Sequence, residues 1–191
     1  MNTPRPLFVA AVAGEAAYIP EGSRLLVTGI GLVPAAVKVA RAIAEERPSI
    51  VVNLGTAGGL HTHMNGVYEV CEVFQHDVDE RALTAITGEP HPTHFTLKSR
   101  SSLPKARLAS GDTFIGDATQ RDILAHTADL VDMEGAAVVA AARDAGVPVT
   151  VLKQVSDHAD DTARSSWAGA VDAGARQLTQ ALADHPELLQ P

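Results

Sequence analysis

Apolar residues along this chain fall into short runs separated by longer amphipathic stretches. Leu7–Val12, Ile50–Leu54 and Val149–Val155 are dense in β-branched and aliphatic residues, the pattern of strands buried on both faces. Arg24–Thr28 reads as a further strand that runs into Gly29-Ile30-Gly31, and Val67–Phe74 as another; Leu130–Met133 is a short one. Between them the period changes. Over Pro34–Glu46, Ala35, Val39, Ala42 and Ile43 share one helical face, with Pro34 suited to a first turn and Pro48 ending the segment. Ala136–Ala145 predicts a helix closed by Gly146, and Trp167–Ala183 an amphipathic helix ahead of Pro186. Strands alternating with helices predict an α/β fold with a largely parallel sheet. The Pro- and Ser-rich stretch Thr87–Lys105 lacks either period and reads as loop or hairpin.

Composition narrows the class. A length of 191 residues with 46% hydrophobic content is enough for one domain with a full core, and neither a repeat nor a linker divides it. The expectation is therefore a single domain over residues 1–191. No apolar run approaches the roughly 18 residues of a spanning helix. Met1–Pro6 enters a strand rather than a long apolar segment, which argues against a secretory signal. The lone cysteine, Cys71, excludes an internal disulfide and suits a reducing cytoplasm. A net charge of −8 disfavours nucleic acid as partner.

The chemistry concentrates in four ordered blocks: Val51-Val-Asn-Leu-Gly-Thr-Ala-Gly-Gly-Leu60, Ala109-Ser-Gly-Asp-Thr-Phe-Ile115, Leu130-Val-Asp-Met-Glu-Gly-Ala-Ala137 and Val155-Ser-Asp-His-Ala-Asp160. They put acidic residues at strand-to-helix junctions, where ligands bind in α/β sheets. Asp132 and Glu134 are two apart, so on an extended chain they face one side. Glu134 also precedes a helix, whose N-terminus favours negative charge, so a first-turn electrostatic role competes with a binding role. Asp157 follows a strand in a Ser-Asp pair, which is equally a common turn or cap. Glu15 lies just beyond the first strand, where a solvated loop glutamate is the plain alternative.

These blocks resemble the purine nucleoside phosphorylase and nucleosidase superfamily, most closely the 5′-methylthioadenosine/S-adenosylhomocysteine nucleosidases. The resemblance implies a single three-layer α/β domain with a mixed, largely parallel central sheet flanked by helices, acting without a cofactor on a purine nucleoside. It assigns Asp157 to the leaving base with Ser156 beside it, and Glu134 to the ribose hydroxyls with Met133 packing on the sugar. Glu15 is assigned to the attacking water. Asp132 stands where many relatives have glutamate, and Lys153 where arginine is more common, near that water; its alternative is a strand lysine snorkelling to the surface. Thr56, Ala57 and Gly58 are expected beside the ligand, as are Ile30 at the 5′ pocket and Phe114 and Ile115 against the purine. Trp167 is expected over the 5′ substituent, unless it is only a surface helix anchor. The resemblance further implies a homodimer, and Thr87–Lys105 looks shortened against it.

Three functions stay open on sequence alone. Hydrolysis of an adenine nucleoside with a modified 5′ end leads, because neither Val12–Ser23 nor Ala57–Glu72 carries an arginine for phosphate. Phosphorolysis on the same fold is the first alternative, and a non-catalytic nucleoside binder the second. A metal site is not expected: His61-x-His63 and His91-x-x-His94 lack a cysteine or glutamate cluster to complete one.

Overall fold

The computed structural model describes residues 4–161 and 163–191. Eight strands and five α-helices are present among them: β1 (Leu7–Ala10), β2 (Arg24–Val27), α1 (Leu32–Glu45), β3 (Val51–Gly59), β4 (Val67–Gln75), α2 (Glu80–Thr87), β5 (His94–Thr96), β6 (Lys105–Ser110), α3 (Ala118–Leu124), β7 (Leu130–Asp132), α4 (Gly135–Asp144), β8 (Val149–Asp157) and α5 (Ala163–Asp184). A 3-10 turn at Ala13–Ala16 follows β1. The result is an α/β domain with a mixed central sheet flanked by helices. Parallel pairing joins β2–β1–β3–β8 and β4–β6–β7, while β3–β7, β4–β5 and β4–β8 run antiparallel. The pairings β3–β8–β4–β6–β7–β3 close on themselves, so the middle of the sheet curls into a small barrel with β1 and β2 continuing from one side.

Two cores lie on the two faces of β1, β3 and β8. One side packs α1 and α4: Leu32, Ala35, Val39, Ala42 and Ile43 meet Ala136, Val138, Val139 and Ala142 and the outer side chains of Val9, Val51 and Val151. The apolar face expected for α1 is thus the buried one. Leu178 and Leu182 of α5 cover the opposite face with Phe8, Ile50, Val52, Leu54 and Leu152.

Differences from the sequence expectation have physical causes. β3 does not stop at Leu54 but runs through Gly55-Thr-Ala-Gly-Gly59, so the glycine-rich segment continues the strand. Its glycines serve close approach. A Cβ on Gly58 would sit 3.1 Å from both Ala159 Cβ and Val131 Cγ1, and one on Gly59 3.1 Å from Val155 Cγ1. A register shift between Ala57 and Gly58 bends β3 here, away from β1 and onto β7. Gly31 precedes α1 with φ 107°, where a Cβ would also lie 2.9 Å from Asp112 Oδ1; glycine is required at this turn. In Thr87–Lys105, β5 pairs antiparallel with β4, and Glu69 holds the C-terminal part of the segment. Its buried carboxylate accepts the N–H groups of Arg100 at 2.6 Å and Ser101 at 3.1 Å, the Ser101 hydroxyl at 2.7 Å and the Lys105 ammonium at 2.5 Å.

Candidate active site

The strand ends converge on one cavity of about 300 Å³. It is lined, among the described residues, by Glu15, Asp132, Glu134 and Asp157, by Thr56, Ala57, Gly58 and Ser156, and by the apolar side chains of Ile30, Phe114, Ile115, Met133 and Trp167. Ala11, Thr113 and Val131 complete the wall and were not foreseen. Of the residues expected at the site, only Lys153 lies outside the lining. Phe114 and Trp167 are the aromatic residues among the described lining; Phe95 packs on the core under α1 and α4, and Phe74 on the cluster of Leu60, Ala109, Ile115 and Val131 next to the cavity wall.

Glu15 is a buried group, not a solvated loop glutamate. The 3-10 turn after β1 folds it back over its own strand, where Oε2 accepts the N–H groups of Ala11 at 3.1 Å and Val12 at 3.3 Å. Oε1 accepts the Thr56 N–H and the Thr56 hydroxyl, each at 2.8 Å. The Trp167 indole N–H in turn donates to Thr56 Oγ1 at 2.8 Å, which brings the side chain of α5 into the site rather than to a surface anchor.

Asp132 and Glu134 hold different partners. Asp132 caps α4: its Oδ2 accepts the Gly135 N–H at 2.9 Å, while its Oδ1 accepts the Ser110 hydroxyl, and Ser110 Oγ accepts the Ala136 N–H at 2.9 Å. Glu134, although it stands immediately before α4, makes no cap there. Its Oε1 reaches across to the lead-in of α1 and accepts the Gly31 N–H at 2.9 Å, while Asp112 Oδ1 accepts the Leu32 N–H at 2.8 Å. The positive end of α1 therefore faces Glu134. Burial, and then the charge of Asp132, push the Glu134 carboxyl up to about 7 from its ordinary 4.5, against the opposing pull of Lys153 and the Gly31 N–H.

Lys153 does not snorkel. At 1% exposure its ammonium lies 2.8 Å from Asp132 Oδ2 inside the protein. Burial alone would favour the neutral amine, but the charges of Asp132, then Glu134 and Glu15, outweigh it and hold the ammonium above its ordinary range. Gly55 makes the space. A Cβ there would lie 3.1 Å from Lys153 Nζ and 3.2 Å from Glu15 Oε1.

Asp157, at the end of β8, lines the cavity and is also held in a turn. Oδ2 accepts the Ser156 hydroxyl at 2.7 Å and Oδ1 the Ala159 N–H at 2.9 Å. Ala159 is fully buried with φ 49°, a conformation rare for a residue with a side chain. The site thus collects four carboxylates on one apolar cavity. No lysine or arginine is present among the described lining residues.

A family model described as the phosphorylase superfamily matches residues 22–185. The chain belongs to this superfamily. A 5′-methylthioadenosine/S-adenosylhomocysteine nucleosidase of Exiguobacterium sp. is 32% identical over 164 residues, covering 75% of this chain and 70% of that protein. Among solved structures, an S-adenosylhomocysteine nucleosidase of Streptococcus pyogenes in complex with 5-methylthiotubericidin superposes with a TM-score of 0.83 at 21% identity, covering 100% of this chain and 99% of that one. A futalosine hydrolase mutant of Helicobacter pylori gives 0.80 at 23% identity, covering 96% and 98%. At these identities the two structures establish a shared fold, the nucleoside phosphorylase-like α/β domain.

Proposed function

We propose that this chain hydrolyses the N-glycosidic bond of adenine nucleosides that carry a modified 5′ group, releasing adenine and the free sugar. The observation that carries the reading is the cavity itself, with buried Glu15 and turn-held Asp157 both on its wall and no cationic side chain among its described lining residues. Cleavage needs a proton on the departing base, tolerance of positive charge on the ribose, and a nucleophile at C1′. In this reading Asp157 supplies a proton to N7 of the leaving adenine, and the Ser156 and Ala159 donors fix its orientation. Glu134 accepts the 2′ and 3′ hydroxyls. Glu15 takes a proton from the attacking water, whose oxygen forms the new bond to C1′ as the bond to nitrogen breaks. Phe114 and Ile115 pack on the base, Met133 on the sugar, and Ile30 and Trp167 on the 5′ group. Thr56, Ala57 and Gly58 line the floor, and Lys153 acts as the buried countercharge of Asp132 rather than as a contact of the water.

Phosphorolysis on the same fold would require cations to bind phosphate, and the described wall supplies none. The deciding experiment is adenine release from 5′-methylthioadenosine and S-adenosylhomocysteine in phosphate-free buffer. The expected products are adenine and free sugar at a rate that added phosphate does not raise. A rate that depends on phosphate, with a sugar 1-phosphate as product, overturns the reading, and so does an absence of turnover with intact nucleoside binding.

A further inference from the structure

Outside the direct assignment of the cavity wall, one chain of hydrogen bonds links α5 to the nucleophile side of the site. Trp167 Nε1–H donates to Thr56 Oγ1 at 2.8 Å, and Thr56 Oγ1–H donates to Glu15 Oε1 at 2.8 Å. The polarity is fixed by chemistry. An indole nitrogen only donates, and an ionised carboxylate only accepts. The threonine hydroxyl between them has a single proton. Because its oxygen already receives the indole N–H, that proton is turned toward Glu15. Remove the indole donor and only the bond to Glu15 still orients the hydroxyl.

The two oxygens of Glu15 are held unequally. Oε1 has both of the short bonds, from the Thr56 amide and hydroxyl at 2.8 Å each, while Oε2 has the longer pair, at 3.1 Å and 3.3 Å, from Ala11 and Val12. Oε1 is the anchored oxygen and Oε2 the one with the looser contacts to exchange for a water. The three amide donors belong to the backbone around β1 and within β3 and cannot turn. The Thr56 hydroxyl is the sole adjustable donor of the four among the described residues. The segment that bears Glu15 is also strapped to α5 independently: Tyr18 donates to Asp172 Oδ1 at 2.5 Å, the Arg176 guanidinium lies 4.0 Å above the Tyr18 ring, and a Cβ on Gly14 would sit 3.0 Å from Val171 Cγ1.

We propose that Trp167 is a positioning residue for Glu15, acting through the Thr56 hydroxyl, in addition to its packing against the 5′ group. This rests on the assignment of Glu15 to the attacking water. A residue that only covered the 5′ substituent would need a ring and no N–H; a residue that directs Thr56 needs the N–H. Trp167→Phe separates the two, since it keeps an aromatic ring and deletes the donor.

The test measures adenine release from 5′-methylthioadenosine for the wild type, Trp167→Phe, Thr56→Val, Thr56→Ser, the Trp167→Phe/Thr56→Val double variant and Glu15→Gln, with thermal melts to establish folding and adenine binding measured alongside. Trp167→Phe should lower kcat roughly tenfold, about the worth of one hydrogen bond, while KM changes less than about threefold. Thr56→Val should lower kcat by at least as much, and Thr56→Ser should retain most of it. In the Thr56→Val background, Trp167→Phe should lower kcat no further, because its effect on Glu15 runs through that hydroxyl. Trp167 is the single tryptophan of the chain, so its emission reports the same bond, and Thr56→Val should shift the emission while Thr56→Ser leaves it in place. A normal kcat in Trp167→Phe, a loss confined to KM, or full additivity in the double variant overturns the proposal. Near-normal turnover in folded Glu15→Gln overturns the assignment beneath it, so the two failures are told apart.

Discussion

At the residue scale the site separates carboxylates of similar composition by what each one faces. Among the described residues, Asp132 has a buried ammonium and a helix start, Glu134 has the amide before α1, Glu15 has four donors, and Asp157 has one hydroxyl and one amide. Asp157→Asn keeps the shape and hydrogen-bonding reach of the side chain but not its proton chemistry. We expect kcat to fall by about 10² or more, the typical worth of one acid–base group, with a smaller change in KM; steady-state kinetics that give a near-normal kcat would refute the role. Glu134 carries a pH signature. With its folded pKa at about 7 against an ordinary 4.5, the folded protein holds more protons than the unfolded chain between those values. Rising pH through this window therefore lowers stability, and the loss is complete above about 7. The same ionisation creates the acceptor for two ribose hydroxyls, so nucleoside affinity should improve as pH rises through about 7. Melting temperature and KM should therefore both fall as pH rises across this range, and Glu134→Gln should flatten the contribution of this group to both.

At the element scale, what was legible in the sequence was whatever announces itself through burial. The α1 face of Ala35, Val39, Ala42 and Ile43 and the central strands follow directly from apolar periodicity. α2 and α3 have no buried residues, so no apolar stripe marks them; their signal is chemical, in Asp79 accepting from Ala82 N–H, Gly88 in the left-handed region, and Asp117 accepting from Gln120 N–H. The continuation of β3 through its glycines was hidden because a strand is recognised by alternating side chains, and here the neighbours require their absence. The burial of Lys153 was hidden too. A lysine in a strand ordinarily seeks solvent, and its partner Asp132 lies on another strand, at β7. Residue identities at the cavity were legible through the four blocks, whereas the division of labour between Asp132 and Glu134 depends on where α1 points. Gly55→Ala tests the close packing of this element. The added methyl would meet Lys153 Nζ at 3.1 Å and Glu15 Oε1 at 3.2 Å, both at the ends of side chains with little room to retreat. We expect a folded protein with a lowered melting temperature and turnover reduced by about tenfold or more, as misplacement of a reacting group costs; wild-type kinetics in Gly55→Ala would show that the cluster has slack.

At the scale of the whole molecule, the cavity is walled unevenly. Its floor is buried strand, but Ile30 is 52% exposed and Phe114 40% exposed even though both line it. From Ile30 an apolar stripe continues along the outer face of α1 through Val33, 68% exposed, and Val37, 60% exposed. Val33 and Val37, four residues apart, lie on one side of α1, opposite the face that packs on α4, and Ile30 stands just ahead of the helix. Large apolar side chains in such a row are costly to leave in water and mark a surface that is covered. With only 4% aromatic residues in the chain, and Phe74 and Phe95 committed elsewhere, one subunit has few large groups with which to finish the wall. We therefore expect a two-fold homodimer, the commonest soluble assembly, in which the Ile30–Val37 stripe of each subunit is covered beside the neighbour's cavity mouth. Light scattering at micromolar concentration should give twice the 19.9 kDa of one chain. Val33→Asp with Val37→Asp should shift that mass toward a single chain and raise KM, since the stripe leads to the cavity while the carboxylates remain in place. A fully active wild type with the mass of one chain excludes the dimer. A double variant that becomes monomeric with unchanged KM would leave the dimer in place but show that the cavity is complete within one subunit.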